Sequence, residues 1–125
     1  MPATEKKKNS ELNTPQLLNE CVSVDYKVQE LVVPAATRTS YVKHNTRHVF
    51  LSVLSGECVI ITDGLETDLT SGKCMSIPRK TKYMFVNKGE SDFRFLFTEY
   101  GSIANSSDIE ECDETKIPKR YRLGE

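Results

Sequence analysis

Few side chains in this 125-residue sequence could carry catalytic or metal-binding chemistry. The four cysteines are Cys21, Cys58, Cys74 and Cys112. None of them forms the C-x2-C pair of a zinc ribbon or a thioredoxin-type site. No secretory signal is recognised, so we expect reduced thiols, with Cys58 and Cys74 buried as small hydrophobic residues. The two histidines are His44 and His48, so a multi-histidine metal site would need nearly all the imidazole of the chain.

One spacing in the second half of the chain is typical of a family motif. Gly72 is followed after five residues by Pro78, and Tyr83 is followed after three residues by Asn87. Glycine and asparagine suit the turns at the two ends of a strand pair, and proline stiffens the loop between them. The pattern resembles the second cupin motif, G-x5-P-x-G-x2-H-x3-N. Lys80 takes the place of the internal glycine, and Tyr83 takes the place of the metal-binding histidine.

The first cupin motif, G-x5-H-x-H-x3,4-E-x6-G, can be anchored with its last glycine on Gly56. Its two histidine positions then fall on Val42 and His44, and its glutamate position falls on Val49. With Tyr83 at the fourth position, this row keeps one usual metal ligand. One histidine cannot hold a divalent metal with catalytic geometry. The resemblance therefore implies a cupin barrel with no metal, no other cofactor and no catalytic residue.

Short β-rich runs separated by turn residues fill the chain from residue 22 to residue 101. The runs are 28–33, 40–43, 48–54, 57–62, 65–70, 74–77, 83–87 and 92–100. Strands this short and closely spaced indicate an all-β antiparallel sandwich or barrel, and the resemblance makes it a cupin jelly roll over 22–101. Ser55-Gly56 and Asp63-Gly64 each separate two runs and are expected to close two-residue hairpins.

The two ends of the chain differ from its strand-rich middle. Residues 1–21 are expected to form a flexible arm and then a short helix over 11–21, with Thr14 as its N-cap. Residues 102–125 are expected to form an acidic and then basic tail, mostly loop, with room for a short helix near 106–114. The net charge is −1, so we expect a solvated basic end and no direct DNA contact. No apolar run reaches the roughly 18 residues of a membrane span.

Several strands carry apolar residues on both faces, although a barrel in water needs only its inner face apolar. In a cupin the four ligand positions, here Val42, His44, Val49 and Tyr83, point into the barrel, and we call them the ligand row. Because side chains alternate along a strand, Leu51, Val53 and Phe85 are expected to point inward as well. The outward residues are then Phe50, Leu54, Val59, Ile61, Met84 and Val86. A large exposed apolar patch is unusual on a monomer, so we expect these six residues to form a homodimer interface. The alternative is cover by the amino-terminal segment through Leu17, Leu18, Val22 and Val24.

The run "LSVLSGECVIITDG", then "GKCMSIPRKTKYMFVN" and then "RFLFTEY", is similar to the carboxy-terminal cupin domain of centromere protein C (CENP-C) and its yeast homologues. This resemblance covers roughly residues 28–100. It implies a non-enzymatic homodimerisation module at the centromere and inner kinetochore, in the nucleus, that docks other centromere proteins. Two alternatives remain open: a small metal-dependent cupin enzyme, such as an isomerase or dioxygenase, and a metal-free cupin that binds a small ligand.

Overall fold

The structure is a computed structural model that describes residues 11–12, 14–101 and 108–121. Regular structure in these residues consists of short β-strands and one 3₁₀ turn, Lys119–Tyr121. The strands are β1 (Glu11–Leu12), β2 (Gln16–Val22), β3 (Tyr26–Val33), β4 (Thr37–Arg38), β5 (Val42–His44), β6 (Arg47–Ser55), β7 (Cys58–Thr62), β8 (Leu65–Leu69), β9 (Cys74–Ile77), β10 (Tyr83–Asn87), β11 (Phe93–Gly101) and β12 (Ile109–Glu111). The described residues contain no helix long and apolar enough to cross a membrane.

The strands form two sheets that face each other. The five-stranded sheet has the order β2-β3-β11-β6-β9. In the seven-stranded sheet, β7 pairs with β8 on one side and with β10 on the other. On its other side, β10 pairs with β4 at one end and with β5 at the other. Beyond these, β4 pairs with β1 and β5 pairs with β12. All pairs are antiparallel except β1 with β4. This is the jelly roll that the sequence predicted.

The space between the sheets holds the main hydrophobic core, and the predicted inward direction of the ligand row is confirmed. Leu51, Val53 and Phe85 are buried there. Three phenylalanines of β11 fill the same space and contact one another, as expected from their alternation along the strand: Phe93, Phe95 and Phe97. Between them, Arg94 lies on the outer face and is half-exposed.

Of the two predicted hairpins, one is confirmed and one is wrong. Asp63 and Gly64 join β7 to β8 with φ of 47° and 87°, and Thr62 pairs with Leu65. Positive φ at both central residues is the type I′ geometry that suits a hairpin. Ser55-Gly56 closes no hairpin, because β6 pairs with β11 and β9 while β7 pairs with β8 and β10. The chain crosses there from one sheet to the other.

The predicted helix over 11–21 is wrong, because the segment Gln16–Val22 is a strand at the edge of the five-stranded sheet. A short isolated helix has an unfavourable nucleus, whereas strand β2 gains a ladder with β3. Leu17, Leu18, Val22 and Val24 stay exposed, Val24 by 84%, so this segment does not cover the predicted outer face. The predicted arm over 1–10 lies outside the described residues.

The outer face of the seven-stranded sheet is covered by residues 108–121, which we call the C-terminal strap. Its Ile117 and Tyr121 pack in a second hydrophobic cluster with four of the six predicted outward residues: Val59, Ile61, Met84 and Val86. These four are buried within the chain, so their assignment to a dimer interface is wrong. The strap is the cause, and the crossing at Ser55-Gly56 leaves the other two predicted residues, Phe50 and Leu54, on the other sheet. The helix expected near 106–114 is also wrong over its described part, since β12 is a strand.

The cysteine prediction holds for one residue of two. Cys58 is buried, and its burial raises the pKa of the thiol to about 12. Cys74 is exposed at the outer face of β9, near the hydroxyl of Ser52. The alternation of β9 explains the difference, because Ile77 and Met75 point inward and Cys74 points outward.

Candidate functional site

The predicted ligand row is assembled in the structure at one end of the barrel. Tyr83 on β10 and Val49 on β6 are buried in the core, and Val42 on β5 packs against it. His44 is buried beside Tyr83, with its Nε2 atom 2.8 Å from the hydroxyl oxygen and the two rings stacked. The alignment thus identifies one direct pair, His44 with Tyr83, and two valines that belong to or pack against the same core.

The other side of the His44 ring faces a buried charge cluster that the sequence reasoning missed. Nδ1 of His44 lies 3.4 Å from Oδ2 of Asp108 and 3.9 Å from Oε1 of Glu99. Glu99 also pairs with Arg47, and Lys27 lies 3.6 Å from it. The alternation of β11 could have indicated Glu99, because it continues the inward row of phenylalanines. No local signal marks Asp108, which joins the cluster from the strap.

The charges of this cluster fix the proton positions around His44. Burial lowers the pKa of His44, against the opposing influence of Glu99 and Asp108, so the imidazole is neutral near pH 7. Burial tends to raise the pKa of Asp108, but two hydrogen bonds from Thr46 lower it on balance. Burial raises the pKa of Tyr83, which keeps its hydroxyl protonated. We therefore assign the imidazole proton to Nδ1, facing Asp108, and let the Tyr83 hydroxyl donate to Nε2.

The donor set does not fit the metal centre that a cupin barrel often carries. Two of the four row positions are valines, and Nε2 of His44 is already bonded to Tyr83. The carboxylates lie behind the imidazole and are engaged by Arg47 and Thr46. In the parts of the chain that the structure describes, no group of three or more histidine, cysteine or acidic side chains could hold a metal ion.

A cleft of about 480 Å³ opens between β2, the barrel interior and β12. Its apolar walls come from Leu17, Leu31, Val42, Phe85, Phe97 and Ile109. Its polar groups include the side chains of Tyr83, Glu99 and Lys27. The predicted barrel, with a phenylalanine-filled interior, left no place for such a cleft. Leu17 of β2 and Ile109 of β12 line it together with Phe85 and Phe97 of the core.

The remaining motif residues shape the backbone around the barrel. Gly56 and Gly72 have φ of 87° and 88°, and Pro78 opens the loop to β10. Asn87 is fully buried; its side-chain amide donates to the carbonyls of Val33 and Ser91, and its side-chain oxygen accepts from the amide of Gly89. The positive φ angles and buried hydrogen bonds at these positions indicate a structural role, as the motif implied.

The outer face of the five-stranded sheet has an apolar centre. Phe50 is 41% exposed there, and its backbone partners are Thr98 on β11 and Ser76 on β9. Partly buried Leu96 and Leu54 lie on the same face. Leu96 is paired across the strands with Ser52 and with Glu30, and Glu30 forms an ion pair of 3.2 Å with Arg94 on the same face. Described residues of the strap do not pair with this sheet.

Fold and site together define a small jelly-roll barrel with a degenerate metal row. Residues 29–99 match the model of the cupin domain family. The chain belongs to the cupin family. No sequence match was found among curated proteins.

Solved structures with the same fold come from several organisms. A double-stranded β-helix protein from Klebsiella pneumoniae is 17% identical, with a TM-score of 0.68 over 90% of this chain and 96% of that one. The Cnp3 cupin domain of Schizosaccharomyces pombe is 16% identical, with a TM-score of 0.61 over 70% of this chain and 64% of that one. A sugar phosphate isomerase of the cupin superfamily from Silicibacter pomeroyi is 17% identical, with a TM-score of 0.58 over 75% and 71%. At these identities the similarity shows the fold.

Proposed function

We propose that this cupin is a non-enzymatic homodimerisation module. The observation that carries the proposal is the apolar centre of the five-stranded sheet, where Phe50 stands 41% exposed on a face without described intramolecular cover. Of the six interface residues predicted from the sequence, Phe50 and Leu54 lie on this face. Leu96 joins them in place of the four residues that the strap buries.

The occupant of this face is a second copy of the chain. A twofold dimer uses the same patch on both partners, so the patch must complement itself. Phe50 projects from a strand whose neighbours on this face carry short side chains, Thr98 and Ser76, so a partner's ring can lie against the sheet. About 800 Å² per partner forms a specific interface, an area that two five-stranded sheets packed face to face can bury.

The cellular setting of the proposal is the centromere. The resemblance to CENP-C and the similarity to the Cnp3 cupin domain both support an inner-kinetochore scaffold in the nucleus that also docks other centromere proteins. Dimerisation would bring two copies of attached binding segments together, and linked weak sites gain roughly 10²–10⁴ in avidity. The ligand row supports a role without catalysis, because Tyr83 and His44 are bonded to each other and the row lacks further metal ligands.

Phe50→Glu tests this function by placing a charge at the centre of the proposed interface. We expect light scattering coupled to size-exclusion chromatography to give twice the chain mass for the parent and one chain mass for the variant. Leu65→Glu is the matched control, because Leu65 is 71% exposed on the other sheet and should leave the dimer intact. A parent protein of single-chain mass, or a Phe50→Glu variant that remains dimeric, contradicts the proposal.

The cleft beside Tyr83 supports a second candidate, the binding of a small, largely apolar ligand without a metal. Most of its lining surface is apolar, and polar side chains such as Lys27, Gln29 and Glu111 also line it, a combination that small-molecule sites use. Val42→Trp should fill the cleft from β5. The fluorescent probe anilinonaphthalene sulfonate, whose aromatic rings suit an apolar cleft, should then bind the parent protein saturably at one site, and the variant at least tenfold more weakly. Equal binding to both proteins argues against this candidate.

A further inference from the structure

The C-terminal strap contacts the barrel in the manner of a bound peptide. Its β12 adds an antiparallel strand to the edge of β5, a common mode of peptide recognition. Beyond β12, anchoring side chains alternate with exposed ones: Glu114, Ile117 and Tyr121 point to the sheet, whereas Asp113, Thr115, Lys116 and Lys119 are exposed. The strap is therefore held by separated anchors and has no core of its own.

Charge complementarity defines what this surface accepts. The guanidinium of Arg38 is fully buried beneath the strap, and Nη2 donates to Oε2 of Glu114 across 2.7 Å. Its other contacts are the carbonyl of Thr39 and the sulfur of Met84, and Nε has no hydrogen-bond partner in the described residues. A buried guanidinium is costly without a carboxylate. Any segment that occupies this surface must therefore bring an acidic side chain to Arg38.

The apolar anchors complete the recognition pattern. Ile117, three residues after Glu114, is buried against the cluster around Met84 and Val86. Tyr121, four residues further, packs in the same cluster, and its hydroxyl donates to Glu66 on β8. The groove therefore binds an acidic residue, an aliphatic residue three positions after it and an aromatic residue seven positions after it.

We propose that the outer face of the seven-stranded sheet is a peptide-binding groove, and that the strap is its intramolecular occupant. The external partner is a linear segment of another protein with a carboxylate, an aliphatic and an aromatic anchor at this spacing. It binds when the strap is locally displaced beyond β12, over residues 112–121, while Asp108 stays in the charge cluster around His44, because this part of the strap is held by separated anchors and can open without unfolding of the barrel. This groove is distinct from the proposed dimer face on the other sheet.

A fluorescently labelled peptide with the sequence of residues 112–121 and the change Cys112→Ser serves as the probe. Its binding is measured by fluorescence anisotropy to the full chain and to an Ile117→Ala chain, in which the strap is weakened and the groove is unchanged. We expect the variant to bind the probe at least tenfold more tightly than the parent does. A probe with Glu114→Gln should lose at least tenfold in affinity for the variant, and a scrambled probe should not bind.

Circular dichroism and a thermal melt establish that the Ile117→Ala chain is folded. If it is not, Tyr121→Ala weakens the same strap at its other anchor and is used in its place. Equal affinity of parent and weakened chain for the probe overturns the proposal, as does indifference to the Glu114→Gln change. A concentration-dependent increase in the mass of the weakened chain beyond that of the parent also overturns it, because the strap of a second copy would then be the occupant.

Discussion

The hydroxyl of Tyr83 and Nε2 of His44, 2.8 Å apart inside the barrel, bond to each other at two positions where a metal-binding cupin places two ligands. Each side chain satisfies the polar group of the other in a space lined by Phe85 and Phe97.

Tyr83→Phe removes one partner of this pair and leaves Nε2 of His44 buried without a donor. A buried polar group without a partner costs about 1–3 kcal/mol, so the free energy of unfolding should fall by about that amount. Urea denaturation of parent and variant measures the difference. Tyr100→Phe is the control, because Tyr100 is exposed at the end of β11 and should change stability little. Equal stability of Tyr83→Phe and parent would show that the bond contributes nothing.

The buried imidazole makes stability depend on pH. Burial lowers the pKa of His44 in the folded protein, so between that pKa and the ordinary value near 6.5 the unfolded chain binds the extra proton. The stabilising contribution is therefore full above pH 6.5 and declines on acidification, with a slope of at most about 1.4 kcal/mol per pH unit from this group. The lowered pKa of Asp108 adds a similar loss only at more acidic pH, as the pH falls below the ordinary carboxyl range.

Urea midpoints between pH 7.5 and 5.0 measure this dependence, with His44→Gln as the variant without the imidazole. The slope over this range should become flatter in His44→Gln. It should persist in His48→Gln, because that variant keeps His44 and its buried surroundings. Parallel pH profiles for parent and His44→Gln would assign the acid sensitivity to other groups.

The positions of the strands could be predicted from the sequence because apolar alternation and turn residues are local signals. The runs 74–77 and 83–87 coincide with β9 and β10. Which strands pair is not local, and Ser55-Gly56 shows the consequence. A serine-glycine pair between apolar runs suits a hairpin and a sheet crossing equally, and the choice depends on whether β6 gains more by pairing with β11 than with β7.

That error also explains why the six predicted interface residues do not share one face, whereas the burial of four of them results from the strap, which the sequence analysis expected to be mostly loop. With β6 and β7 paired, Phe50 and Ile61 would lie on one face; with the crossing, they lie on opposite sheets. The charge cluster was missed for a related reason. Asp108 reaches His44 only because β12 pairs with β5, and no spacing in the sequence relates residues so far apart.

Gly56 and Gly72 provide a matched pair for separating backbone strain from steric contact. Both have φ near +87°, where an alanine costs about 1–2 kcal/mol. A Cβ atom at Gly72 meets open space, whereas one at Gly56 would lie 2.4 Å from the carbonyl oxygen of Asp92. Gly72→Ala should therefore lower the free energy of unfolding by about 1 kcal/mol. Gly56→Ala should lower it by about 3 kcal/mol or more, because the backbone where the chain crosses between the sheets must shift. Equal losses in urea denaturation would mean that the contact with Asp92 is easily relieved.

Lys80 occupies the position of the motif glycine and adopts the backbone conformation that a glycine would favour, with φ of 69°. Its amide donates to the carbonyl of His44 across 2.6 Å, which holds the strained conformation in place. Lys80→Gly relieves about 1–2 kcal/mol of strain and costs about 0.5–1 kcal/mol through the greater freedom of the unfolded chain. The free energy of unfolding should therefore rise by about 0.5 kcal/mol.

Arg79→Gly is the control, because Arg79 lies one residue earlier in the same exposed loop and has no positive φ. This variant relieves no strain and only increases the freedom of the unfolded chain, so its free energy of unfolding should fall by about 0.5–1 kcal/mol. Thermal melts of the two variants measure the contrast. If Lys80→Gly is destabilised as much as Arg79→Gly, the left-handed conformation at Lys80 stores no strain.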